Sequence, residues 1–240
     1  MNPFPNMRFN ALAPVLALAA LAAQAQSTEP AVPPAGDPGQ GASALIGTVD
    51  GDTYVSPTGT FRVPIPVLSA LGGAITDTTN VVTFQDEFNT HISIAAFPQD
   101  ATQRWQLSVL GTKDYLQNFL TSFVLPDFAR SFPKIQLEKS GRFVPDFDGA
   151  LIAYTLIPGG SMFASRIPHM ADDDKPPVAK RGNMLFVKNG TVFVISTELA
   201  ERVTEGSTYK QTPEQEDALL RDRLIDIANR IRFLKPAAAK

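Results

Sequence analysis

The chain has 240 residues, 44% of them hydrophobic, enough to bury one sizeable core and closer to one domain than two once its ends are set aside. It contains no cysteine, which excludes a disulfide frame, thiolate chemistry, cysteine metal sites and lipidation after a leader. Of the 21 Lys and Arg one, Arg8, falls in the leader described next; the 20 that remain are dispersed and stand against 24 acidic residues, a net charge of −4 that disfavours nucleic acid and anionic membranes as partners.

Residues 1–25 have the form of a secretory signal peptide. Arg8 supplies the positive charge, residues 11–23 an Ala/Leu-rich apolar run, and Ala23-Gln24-Ala25 the small-x-small cleavage pattern, so the mature chain is expected to begin at Gln26. The apolar run falls short of the roughly 20 residues needed to span a bilayer, and no stable membrane insertion is expected after cleavage. Periplasmic or secreted localisation follows. Residues 26–50 read as a disordered Pro/Gly-rich linker, because this composition buries too little apolar area to offset its chain entropy. A single globular domain is expected over 51–235, with a frayed tail at 236–240.

Within the domain, residues 53–55 and 61–66 form a hairpin about the Ser56-Pro57-Thr58-Gly59 turn, and Phe61, Val63 and Ile65 share one face at the strand period of two. Pro64 lacks a ladder donor, so its strand should lie at a sheet edge or end there. After a Gly72-Gly73 break, residues 83–98 read as a hairpin with a polar corner, and residues 92–97 are the best candidate for a central strand. Residues 111–124 change to helical spacing through Tyr115, Leu116, Phe119, Leu120 and Phe123, with Thr112 placed to cap the start and Pro126 beyond the end. A strand is expected over 135–144. A tight turn at 146–149 then leads into 150–157, apolar enough to be buried on both faces.

Residues 158–180 break the pattern with Pro158-Gly159-Gly160, Pro168, three consecutive aspartates and Pro176-Pro177, an irregular insertion of the kind that carries function. Asn189-Gly190 then sets a two-residue type I′ turn between strands at 181–188 and 191–196. Thr212-Pro213-Glu214 opens a closing amphipathic helix with Leu219, Leu220, Leu224, Ile225, Ala228 and Ile231 along one stripe. Phe233 and Leu234 finish its contact with the sheet. The fold class is α+β, an antiparallel sheet of hairpins with amphipathic helices packed on it.

These motifs resemble the PsbP-like family, small secreted or lumenal proteins related in fold to an extrinsic photosystem subunit. The resemblance rests on Tyr54 through Pro66 (Y-x-S-P-x-G-x-F-x-V-x-x-P), on Val82 through Pro98 (V-T-F-Q-D-E-F-N, then S-I-A-A-F-P), on Tyr115-Leu116, on Gly149-Ala150 opening an apolar strand, and on the hairpin containing K-N-G-T-V-F-V-I-S. It spans about residues 51–234. It implies an antiparallel sheet sandwiched by helices, often with a scaffold or assembly role and no active site. The insertion at 158–180 departs from that pattern, and the leader is of bacterial type.

Candidate chemistry is sparse. His91, at the hairpin corner, reads as a solvated turn residue, since a metal site needs several converging ligands. His169 precedes Met170-Ala171-Asp172-Asp173-Asp174, an oxygen-rich group with one imidazole, but the glycine and distal glutamate of a calcium loop are missing and a solvated acidic loop is the simpler account. Ser161 could serve as nucleophile with His169 as base, yet it lacks the following glycine of a nucleophile elbow. Asp86-Glu87 and Asp146 with Asp148 are paired acids at positions where turns want Asp. Trp105, amid Leu107, Val109 and Leu110, either packs on its own domain or exposes an apolar patch to a partner.

No catalytic residue, metal or cofactor is assigned. The sequence points to a non-enzymatic envelope protein, a binding or assembly module with an envelope protein as partner, working through Ser161, His169, Asp172, Asp173, Asp174 and the face around Trp105. The alternatives are a hydrolase or metal-dependent enzyme centred on the 158–177 loop, and a small-molecule binder with a cleft between sheet and insertion.

Overall fold

The computed structural model describes residues 45–139, 141–163 and 178–235. The stretch read as a signal peptide, most of that read as linker, the expected tail, and His169, Asp172, Asp173 and Asp174 lie outside the described residues. In chain order the elements are β1 (Thr48–Asp50), β2 (Thr53–Val55), β3 (Phe61–Pro64), β4 (Ala74–Asp77), β5 (Val81–Gln85), β6 (His91–Pro98), α1 (Ala101–Phe119), a π-helical turn (Leu120–Val124), α2 (Leu125–Ser131), β7 (Gln136–Leu137), β8 (Arg142–Val144), β9 (Ala150–Pro158), β10 (Val178–Lys188), β11 (Thr191–Glu198), α3 (Ala200–Thr204), α4 (Pro213–Arg230) and β12 (Arg232–Phe233).

The larger sheet runs β4-β5-β6-β11-β10-β9-β7, with β8 also on β9, and the pairings along it are antiparallel. Strand alternation sends successive side chains to opposite faces. Met184 and Phe186 therefore pack with Leu220, Leu224 and Ala228 of α4, while Leu185 packs on the other side with Leu116, Phe119 and Leu120. The result is an α+β sandwich with α1 and α2 on one face and α4 on the other. β6 lies inside the sheet as expected, and β9 is buried along nearly its whole length. Gly182 lets α4 come close, since a Cβ there would stand 3.0 Å from Leu224 Cδ1 and 3.2 Å from Leu220 Cβ.

A second, smaller sheet of order β1-β2-β3-β12 closes the α4 side. Its aromatic residues enter the same core: Tyr54 meets Phe84 edge-on at 5.8 Å, Phe61 meets Phe193 at 6.1 Å, and Phe233 meets Phe193 at 4.8 Å. Pro64 is the last residue of β3, so its missing N–H falls where the ladder ends. β1 lies within the stretch read as linker. It is held by pairing to β2 and by Asp77, whose carboxylate accepts the N–H groups of Ile46 and Gly47 at 2.9 and 2.7 Å and the Tyr54 hydroxyl at 2.7 Å.

The first helix departs most from expectation. It begins ten residues earlier, at Ala101, where Asp100 and Gln103 form a reciprocal capping box, and Gly111 (φ 76°, ψ 163°) breaks it at the point where the sequence pattern had placed its start. Pro126 does not end it either. Having no N–H, Pro126 cannot bond back to the carbonyl four residues earlier; the chain widens into the π-turn, in which the Leu125 N–H reaches Leu120 O, and continues as α2. The strand expected over 135–144 is split into β7 and β8, both on β9. α4 matches its signature, with Thr212 and Gln215 forming the capping box ahead of Pro213. The Asn189-Gly190 turn has φ of 52° and 72°, both in the left-handed region that a type I′ turn requires.

Candidate functional site

The β10–β11 hairpin is longer than expected, running from Val178 to Glu198, and its extension brings in the buried charges of Lys180 and Glu198 beside Arg181. On the face beneath α1 and α2, register sets Thr155, Arg181 and Glu198 side by side on β9, β10 and β11, and one step along it sets Asn183, Ser196, Ser93 and Thr83 in a row from β10 to β5. These rows make a polar seam across an otherwise apolar sheet. Ser196 Oγ donates to Asn183 Oδ1 at 2.8 Å, Thr83 and Ser93 share a hydroxyl bond of 3.2 Å, and Arg181 Nη2 donates to Ser93 Oγ at 3.2 Å. The Phe128 ring covers the Arg181 guanidinium, 4.7 Å from its carbon. Burial pushes the Arg181 pKa down to about 10, with nearby Glu198 opposing, so it remains a cation at neutral pH.

Ser161 joins this seam at one end. Its hydroxyl donates to the buried Glu198 carboxylate, whose other oxygen accepts the Met162 N–H at 2.9 Å, and Ser161 Oγ accepts the Phe163 N–H at 2.9 Å. Burial raises the Glu198 pKa, and these hydrogen bonds and Arg181 pull against it. No hydrogen bond links Ser161 to a histidine among the described residues. Its hydroxyl is already committed to latching the end of the β9 connection onto β11. His91 is not a solvated corner residue: it is 6% exposed, opens β6, and meets Phe163 edge-on at 6.3 Å. Burial first, and the Arg181 cation second, push its pKa down to about 3, so the imidazole is neutral.

Above the seam, between β5, β6 and β11 and the α1–α2 elbow, lies a cleft of about 580 Å³. Phe97, Phe119, Phe123, Phe128 and Val81 make its walls, and Ser93 and Ser196 its polar floor. Phe123, on the π-turn, is 59% exposed at its rim. Such turns recur at functional sites because the extra residue re-aims side chains that a regular helix would align. Trp105 stands elsewhere on α1, 63% exposed rather than packed on the domain, and shares that exposure with Val109. The first half of α1 buries little, which is why no apolar stripe betrayed it; the Asp100-x-x-Gln103 cap was the available signal.

The opposite face holds a second buried charge cluster. Lys180 Nζ lies 2.6 Å from Asp217, 2.9 Å from Glu138 and 3.4 Å from Glu216, and Arg202 pairs with Glu216. Burial works against the Lys180 charge, but hydrogen bonds to Asp217 and Glu138 outweigh it and raise its pKa. Among the described residues no cluster of three or more His, Asp or Glu is arranged to hold a metal ion. The paired acids do turn work: Asp86 Oδ1 accepts the N–H groups of Phe88, Asn89 and Thr90 at 2.8 to 3.0 Å, and Asp148 pairs with Lys188 at 2.7 Å.

The architecture defines the class: an antiparallel α+β sandwich with an internal polar seam under a half-open apolar cleft. No family model matches the sequence, and no curated protein matches it. Among solved structures the chain is similar to cyanobacterial PsbP from Synechocystis sp. PCC 6803, at 12% identity over 76% of this chain and 91% of that one, with a TM-score of 0.44. It is also similar to a protein of Bacteroides thetaiotaomicron VPI-5482 (12% identity, 78% of this chain and 50% of that one, TM-score 0.36) and to the Ran-binding protein Mog1p of Saccharomyces cerevisiae (11%, 76% and 95%, TM-score 0.37). These are likenesses of fold.

Proposed function

We propose that the protein is an exported, non-enzymatic binding protein of the periplasm or extracellular space, and that it binds through the cleft under the α1–α2 elbow. The observation that carries this reading is the cleft itself, about 580 Å³ with four phenylalanines above a floor that holds Ser93 and Ser196. Its size falls within the roughly 300–1,000 Å³ typical of ligand sites, and nine of its seventeen lining residues are apolar. The leader pattern at residues 1–25 supports export. The commitment of the Ser161 hydroxyl to Glu198 speaks against the hydrolase alternative. Relative to the cleft anticipated beside the insertion, the proposed site moves to the helical face.

Thermal-shift screening of the mature protein against small aromatic and aliphatic compounds tests the site, because a ligand that prefers the native state raises the melting temperature by mass action. Hits are expected, and Phe123→Asp, a rim substitution that leaves the core intact, should abolish their shifts while barely changing the unliganded melting temperature. Hits that persist unchanged in Phe123→Asp, or no hit from a broad library, would contradict the reading.

A further inference from the structure

The seam and the cleft together specify a ligand class, an inference that rests on the binding role proposed above. Arg181 is 1% exposed, and its Nε and Nη1 have no hydrogen-bond partner among the described residues. Its one side-chain bond, to Ser93 Oγ, runs toward the cleft, since Ser93 and the covering Phe128 both line it. Because Ser93 Oγ accepts from Arg181, its own O–H is left to donate, either to Thr83 Oγ1 or to an acceptor in the cleft. The floor therefore offers a hydroxyl donor with a cation one hydrogen bond behind it.

Among the surrounding charges, Glu198 is the cross-strand neighbour of Arg181 and offsets part of its field, but its carboxylate oxygens are turned to the Ser161 hydroxyl and the Met162 N–H, and no ion pair joins it to Arg181 among the described residues. His91 is neutral. At the mouth, Arg130 and Asp127 pair with each other at 3.3 Å and nearly cancel. A buried cation with two of its three nitrogens unpartnered is stabilised by an anion brought near it through low-dielectric surroundings.

We propose that the cleft takes a small aromatic monoanion, its carboxylate accepting the Ser93 hydroxyl proton above Arg181 and its ring lying against Phe97, Phe119 and Phe123. Arg181 acts through Ser93 and sets the preference for charge, while the phenylalanines supply affinity for the ring.

Isothermal titration of the mature protein with 2-naphthoate and with its neutral isostere 2-naphthamide tests this. A charge-assisted hydrogen bond should favour the acid by about tenfold or more. Ser93→Ala should bring the two compounds within about threefold by weakening the acid more than the amide, whose carbonyl accepts only a neutral hydrogen bond from Ser93. Arg181→Met should do the same where it folds; Ser93→Ala keeps the test decisive where it does not. Equal affinities in the parent protein, or a preference that survives Ser93→Ala, would overturn the charge assignment and leave the cleft standing as an apolar site. Binding of neither compound would overturn the ligand class, while the library screen separately judges whether the cleft binds at all.

Discussion

Lys180→Met is expected to lower stability by about 3–5 kcal/mol, because it strips the ammonium from three carboxylates that stay packed around the gap. Among the described residues, Arg202, which already pairs with Glu216, would be the one remaining ion-pair partner of Glu138, Glu216 and Asp217. The Tyr154 ring, 5.3 Å from Nζ, would lose its cation as well. Urea unfolding measures the loss, as a lower midpoint at an unchanged slope. Adding Glu138→Gln and Asp217→Asn neutralises the two nearest partners and should recover more than half of it, since most of the cost comes from uncompensated charge rather than from lost packing. A loss below about 1 kcal/mol would mean that the cluster behaves like an exposed ion pair.

The second large effect is one of pH. His91 is buried and neutral, its pKa pushed down to about 3, whereas in the unfolded chain it titrates near 6.5. Below that unfolded value the unfolded state takes up a proton that the native state refuses. The stabilisation is thus complete above pH 6.5 and is lost as pH falls toward 3, at roughly 1.4 kcal/mol per pH unit. Between pH 6.5 and 4.5 the native chain should lose about 2–3 kcal/mol that His91→Gln does not lose. Glu198 works in the opposite sense, since its raised pKa favours proton uptake by the native state as pH falls. The informative quantity is therefore the difference between the parent and His91→Gln, both of which keep Glu198. Parallel pH curves for the two would show that His91 is hydrated in the native protein.

Much of the fold was legible from local chemistry. The Asn189-Gly190 turn and the Thr212-Pro213 cap are specified by a few adjacent residues, and both occur where expected. The hairpin of β2 and β3 was legible, but the rest of the small sheet was not: β1 lies in the stretch read as linker, and β12 joins only when Arg232 and Phe233 return to pair with Arg62 and Phe61 from the far end of the chain. Nor was the continuation of α1 past Pro126, since proline usually marks an end and only the π-turn absorbs it here.

The seam was hidden for a different reason. Sequence patterning places polar residues outside the core, so Arg181 and Ser196 read as the outer limits of their strands. In the structure the strands run on to Val178 and Glu198, because cross-strand partners satisfy or compensate much of that polarity. A signal was nevertheless present: Arg181 and Asn183 are two apart on one strand, Ser196 and Glu198 on the next, and His91 and Ser93 on a third. Polar residues at strand spacing within apolar strands mark a buried polar row. Of the residues singled out from the sequence, Ser161 belongs to the seam, and Trp105 stands apart from it on an exposed stretch of α1.

The central claim is that the cleft between the sheet and the α1–α2 elbow is where this protein binds. The most direct measurement is the set of backbone amide shifts in a ¹⁵N–¹H spectrum of the protein as 2-naphthoate is added. Perturbations are expected to cluster at Val81, Ser93, Ala95, Val194 and Ser196 on the sheet and at Phe119, Phe123 and Phe128 above it. Perturbations confined to the exposed face around Trp105 and Val109, or to the loop from Asp86 to His91, would contradict the claim.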